Sequence, residues 1–184
     1  MSERVVVLGA GYAGSVAIQA LERELDDAEL IWVADVDYHL VLHEVHRAIR
    51  DPGVREKITV PVSDVKSPTT EFVEGAVDTV ATDERHVTLE DGSAVEYDYL
   101  VVALGSDTAF YGIPGMAERA HTLKSLDDAL AIHEAVAEAG RAASRNDPAH
   151  VVVGGAGLSG IQTAGEVAEL RDELNVEVTE PPAE

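Results

Sequence analysis

The apolar positions of this chain fall into two recurring patterns, and they alternate. Val5-Val6-Val7-Leu8 is an unbroken apolar run ending at a glycine, as expected of a strand covered on both faces. Helical spacing follows over about residues 13–25. Asp26-Asp27 breaks it, and Leu30-Ile31-Trp32-Val33-Ala34 repeats the buried-strand pattern. The order is a β-α-β unit.

Residues 38–49 are expected to be helical, stopped by Asp51-Pro52-Gly53. Residues 71–89 alternate, which predicts strands at Phe72-Val73, 77–80 and 86–89, with a hairpin turn at Asp91-Gly92. Residues 99–104 read as another buried strand, closed by Gly105. Gly112-Ile113-Pro114-Gly115 reads as a linker turn. A helix is expected from a Ser125 cap, with Asp127 and Asp128 in its first turn, to about Ala143. A strand at 150–153, a helix over about 158–173 and a further strand starting at 176–178 complete the pattern. The chain is thus a partial internal repeat of strand, glycine turn, helix and strand.

The two turns carry the chemistry. Gly9-Ala10-Gly11-Tyr12-Ala13-Gly14 and Gly155-Ala156-Gly157-Leu158-Ser159-Gly160 both have the spacing G-x-G-x-x-G between an apolar run and a helix. In such a turn the first glycine permits the bend, the second lets a pyrophosphate approach the backbone, and the third lets helix and strand pack closely. The helix start then offers N–H groups and a positive dipole end, worth about 0.3–1 kcal/mol per exposed charge. An acid about 20 residues further on is expected to bind a ribose hydroxyl. Asp35 stands there after the first turn, with Asp37 as runner-up, and an acid in that place disfavours a 2′-phosphate. Glu180 stands there after the second turn.

Charge narrows the partners. Asp and Glu total 35 against 13 Lys and Arg, a formal net charge of -22. Such a field repels nucleic acid and anionic membranes, so neither is expected as a direct partner. It also repels an anionic dinucleotide, which salt relieves because the Debye length is about 3 Å at 1 M. The acidic, lysine-poor composition therefore suits a halophilic protein in a salt-rich cytoplasm. With no cysteine, structural disulfides, thiolate metal sites and redox-active cysteine pairs are excluded within this chain. The uncharged residues 5–21 mimic a signal segment, but they are short for a membrane span and their glycines match the nucleotide turn.

The order of first glycine turn, strand ending in Gly105, Gly112-Ile113-Pro114-Gly115 linker and second glycine turn resembles the two-dinucleotide-binding-domain flavoproteins. Among them it looks most like the type II NADH dehydrogenases, the NADH:quinone oxidoreductases. The segment 97–105 resembles the family's stretch ending in Ala-Thr-Gly, with Leu104 in place of the threonine. Residues 37–40 and 42–45 resemble the stretch approaching the flavin ring, and 160–167 resembles the start of the NADH-domain helix. The resemblance implies a Rossmann-like parallel-sheet FAD domain with a small antiparallel β-meander over residues 1–112. It implies an incomplete second Rossmann-like NAD-binding unit over 113–184.

By the same resemblance FAD is held by Gly9, Gly11, Tyr12, Ala13, Gly14, Asp35, Asp37, Val77, Ala103 and Gly105. NADH is held by Gly155, Gly157, Leu158, Ser159 and Gly160, and Glu166 matches an acid near the nicotinamide. Hydride passes from NADH to the flavin, and electrons pass on to a quinone or another acceptor. The resemblance covers about the first half of such an enzyme, which implies a fragment or truncated frame. Turnover by these residues alone is open, and so is association of copies through an exposed strand edge. A cytoplasmic location is expected, peripheral to the inner face of the membrane through the part beyond this chain.

Plainer readings stand beside these. Asp35 also fits a strand-end turn, Glu166 a solvated helix position, Val77 a core strand and Trp32 the core. His39, His43 and His46 fall on one face of the expected helix with Glu44 between them, but the spacing is not the zinc-protease pattern. Helix surface or contact with the flavin pocket fits them better than a metal. A one-cofactor dehydrogenase would leave the second turn unexplained and lacks a Tyr-x-x-x-Lys pair.

Overall fold

The computed structural model describes residues 2–144 and 146–174. In chain order the elements are β1 (Arg4–Leu8), α1 (Tyr12–Glu24), β2 (Glu29–Ala34), β3 (Tyr38–Leu40) and, after a 3-10 turn at Leu42–Glu44, α2 (Arg47–Arg50). A second 3-10 turn at Pro52–Val54 leads into α3 (Arg55–Ile58), β4 (Thr59–Pro61) and α4 (Val62–Val65). Then come β5 (Glu71–Glu74), β6 (Val77–Ala81), β7 (His86–Leu89), β8 (Ala94–Glu96) and β9 (Tyr99–Val102). Three helices follow: α5 (Met116–Arg119), α6 (Leu126–Ala142) and α7 (Leu158–Leu174). Two compact units result, one of residues 1–40 and 59–106, the other of 41–58 and 107–184.

The first unit is a parallel sheet in the order β5-β2-β1-β9. Successive side chains of a strand point to opposite faces, and here both faces are covered. Val5, Val7, Leu30 and Trp32 share one core with Ile18 of α1, while Val6, Leu8, Ile31 and Val33 share another with Val87 and Leu89 of the antiparallel sheet β6-β7-β8. This explains the uninterrupted apolar runs, and the α/β architecture with a small meander is the one expected. Phe72-Val73 joins the parallel sheet as β5 rather than the meander.

The second unit is helical among the described residues. Its core gathers Val45, Ala48, Ile49, Leu126, Ala129, Val136, Val167 and Leu170, with α2 packed against both α6 and α7. Helix α6 opens with a full capping box: the Ser125 hydroxyl accepts from the Asp128 N–H at 3.0 Å, and the Asp128 carboxylate accepts from the Ser125 N–H at 3.2 Å.

Three expectations are corrected. Residues 38–49 are not one helix, because Tyr38-His39-Leu40 pairs antiparallel with Thr59-Val60-Pro61. His39, buried in that strand, therefore shares no helical face with His43 and His46. Residues 99–104 do not form a buried strand: pairing ends at Val102, and β9 is the sheet edge, so Tyr99 and Val102 are exposed. Residues 150–153 form no strand. A strand is defined by its pairing, and the described residues of this unit offer no neighbouring strand, leaving Val152 91% exposed. The strand expected from 176 and the acid Glu180 lie outside the described residues.

Candidate dinucleotide-binding turns

The first turn sits at the carboxyl end of β1, fixed by hydrogen bonds on both sides. The Gly9 N–H donates to Val33 O at 2.7 Å, and the Trp32 indole Nε1 donates to Gly9 O at 2.9 Å. Ala103 N–H donates to Leu8 O at 2.9 Å, bringing the end of β9 alongside. The Ala10 carbonyl faces the buried His39, whose Nδ1 is 2.8 Å away. The His39 ring also meets Tyr12 edge-on, with centroids 4.7 Å apart.

Two of the glycines in this turn are demanded by the fold. Gly9 has φ +97, and a Cβ there would overlap the Ala103 carbonyl. A Cβ on Gly14 would overlap the carbonyl oxygen of Gly9. Gly11 is different. It is the helix N-cap at φ -71, ψ -174, extended backbone open to any residue, and a Cβ there meets nothing within 4 Å. The fold has no use for a glycine at 11, whereas a ligand lying against the backbone does. The first-turn N–H groups of Ala13 and Gly14 have no acceptor within the helix, and Gly11 supplies no capping side chain.

The second turn repeats this geometry. Gly155 has φ +120, a Cβ on Gly160 would overlap the Gly155 carbonyl oxygen, and Gly157 again faces open space. Ile161 N–H donates to Gly157 O at 3.0 Å, as Ser15 N–H does to Gly11 O at 3.0 Å. Gly155, Gly157, Leu158 and Ser159 are all exposed. Both turns thus fit a pyrophosphate by the same test: a required bend, a required close contact, and between them a glycine that keeps space clear.

The other expected residues of the first unit gather at the carboxyl ends of the parallel strands, where open α/β sheets bind ligands. Asp35 follows β2 directly and Asp37 lies just beyond, both exposed. Ala103 and Gly105 follow β9, and Gly105 has φ +79. Val77 opens β6, half-buried against the meander-side core. The turn-holding roles of His39 and Trp32 are not visible in the sequence, because their contacts span 29 and 23 positions and no local pattern announces them.

In the second unit Glu166 is not a solvated surface residue. Its Oε1 lies 3.8 Å from His46 Nε2 and its Oε2 lies 3.3 Å from Arg50 Nε, with no hydrogen bond formed to Oε2. Arg50 also pairs with Glu169. These ions tie α7 to α2. Among the described residues no cluster of three or more His, Cys, Asp or Glu is arranged to hold a metal.

Comparison with known proteins agrees with this geometry. A family model described as pyridine nucleotide-disulphide oxidoreductase matches residues 3–181. The type II NADH:quinone oxidoreductases of Staphylococcus haemolyticus and Staphylococcus aureus are 31% and 30% identical over 180 residues, covering 94% of this chain and 44% of theirs. The chain therefore spans less than half the length of these curated relatives. Among solved structures, NDH2 from Plasmodium falciparum in complex with NADH superimposes with a TM-score of 0.76 at 18% identity, covering 97% of this chain and 41% of that one. NADH:rubredoxin oxidoreductase from Clostridium acetobutylicum gives 0.73 at 22%, covering 97% and 44%. The chain belongs to the pyridine nucleotide-disulphide oxidoreductase family.

Proposed function

We propose that this chain is the dinucleotide-binding part of a flavin-dependent NADH:quinone oxidoreductase. The first turn takes the ADP half of FAD and the second takes NADH, with residues 1–112 serving the flavin and 113–184 the nicotinamide. The observation that carries this reading is the doubled, fold-independent glycine: Gly11 and Gly157 each face open space between two glycines that the backbone requires.

The residues then have separate tasks. Backbone amides at Gly11 to Gly14 and Gly157 to Gly160 meet the two pyrophosphates. Asp35, with Asp37 beside it, accepts the ribose hydroxyls of the flavin nucleotide. Ala103, Gly105 and Val77 line the adenosine and flavin side with backbone atoms. Glu166, held by Arg50 and His46, fixes the field near the nicotinamide. Bound FAD supplies the hydride-accepting chemistry, and the protein contributes binding, orientation and electrostatics.

The relatives' quinone is the acceptor we assign, with membrane contact made by the part of those enzymes that this chain does not span. Among the described residues no helix is long and apolar enough to cross a membrane. Absorbance of the purified chain in high salt tests the reading: a flavin spectrum bleached by NADH supports it, and a chain that takes up no FAD refutes it. A second reading, nucleotide binding without turnover, is favoured by the chain spanning 44% of the length of the curated relatives it matches. It predicts a flavin spectrum that NADH leaves unchanged.

A further inference from the structure

The first turn holds a buried imidazole that the proposed binding scheme does not use. His39 is 9% exposed, and its Nδ1 lies 2.8 Å from the Ala10 carbonyl oxygen and 3.2 Å from Ser15 Oγ. A carbonyl oxygen only accepts, so Nδ1 carries the hydrogen and donates it to Ala10. The Ser15 hydroxyl reaches the same carbonyl at 3.4 Å. Ala10 is joined to Gly11 by a trans peptide, in which the C=O and the N–H point in opposite directions in one plane. Holding the Ala10 oxygen inward against His39 therefore aims the Gly11 N–H the opposite way, away from His39, at a residue whose Cα leaves room for a ligand to approach.

From this geometry we infer that His39 is a positioning residue for dinucleotide binding: through its Nδ1–H it locks the 10–11 peptide so that the Gly11 amide is presented to the pyrophosphate of FAD. The inference rests on the reading that FAD occupies the first turn. His39 itself need not touch the cofactor. The bond sets the amide direction before the ligand arrives, so its loss leaves a turn that must reorient on binding.

Two substitutions isolate the donor from the bulk of the ring. His39→Asn places an amide NH2 at the branch where Nδ1 sits, while His39→Gln places its NH2 one bond further out. Fluorescence titration of FAD into the full chain in high salt should give near-native affinity for the Asn variant. The Gln variant should bind roughly tenfold more weakly, the effect of one lost hydrogen bond. The Gly11 amide resonance should move in the Gln variant and hold in the Asn variant. Equal FAD affinities for wild type, Asn and Gln would overturn the inference while leaving the flavin assignment intact. A wild type that binds no FAD defeats the flavin assignment instead. Ring 15N spectra of the wild type decide the matter even where a variant fails to fold: a protonated Nδ1 on His39 supports the proposal, and a bare Nδ1 overturns it.

Discussion

The indole nitrogen of Trp32 donates to the carbonyl oxygen of Gly9 at 2.9 Å, across 23 positions of sequence. The bond joins the middle of the second strand to the bend that ends the first, where a left-handed glycine has turned its carbonyl toward the core. Trp32 is fully buried and meets Phe72 edge-on at 6.1 Å. Replacing Trp32 with Phe keeps an aromatic core residue and removes the donor, leaving a buried carbonyl without its partner. The expected loss is about 1–3 kcal/mol of unfolding free energy, plus the effect of the smaller volume. Urea denaturation measures it.

The glycines of the two helices following the turns predict opposite outcomes. Gly14→Ala drives a methyl into the Gly9 carbonyl, a backbone atom that cannot swing aside, and should cost at least about 1–3 kcal/mol. Gly165→Ala lies within α7, where the new methyl meets nothing within 4 Å. It should stabilise the chain by about 0.5–1 kcal/mol. Thermal melts of the two variants should move in opposite directions.

The Ser125 cap gives a third outcome. Ser125→Ala removes the acceptor for the Asp128 N–H and half of the capping box. The expected destabilisation is about 1 kcal/mol. Circular dichroism on heating, with Ser125→Asp as the variant that restores a capping oxygen, checks it.

The meander hairpin predicts a pH effect. The Asp91 carboxyl sits below the ordinary aspartate range because Ser93 donates to it through its hydroxyl and its amide, the latter at 2.8 Å. A folded-state value below the unfolded one gives stability that is present above the unfolded value. That stability disappears as pH falls through the folded value. Asp91 is exposed, so the readout is local: the Ser93 amide resonance should titrate with a midpoint below that of a free aspartate.

Much of the first unit is legible in the sequence because a strand covered on both faces leaves an unbroken apolar run, as at Val5 to Leu8 and Leu30 to Ala34, and because Gly9 and Gly14 are forced by sterics. The capping box at Ser125 is equally local. What the sequence hides depends on partners far along the chain. Tyr38-His39-Leu40 looks helical until Thr59-Val60-Pro61 pairs with it, and Trp32 and His39 gain their roles from carbonyls of a distant turn. The apolar run Val151-Val152-Val153 carries strand character, but among the described residues it forms no strand. Glu166 lies on the helix that the spacing predicts, while its Arg50 and His46 partners lie more than 100 residues away.

Salt should act in the unusual direction. A net charge of -22 opposes the approach of a dinucleotide, and added salt screens that repulsion. FAD affinity is therefore expected to rise as KCl increases, opposite to the behaviour of a basic phosphate site, and equilibrium dialysis across a salt series checks this.

The assignment of FAD to the first turn and NADH to the second is tested most directly by FAD titration of the wild type beside Gly11→Val and Gly157→Val in high salt. At both positions an added Cβ meets nothing within 4 Å, and circular dichroism of each variant checks that it remains folded. Gly11→Val should lose FAD binding, while Gly157→Val should keep it and lose only reduction by NADH. Undiminished FAD binding by a folded Gly11→Val would contradict the assignment.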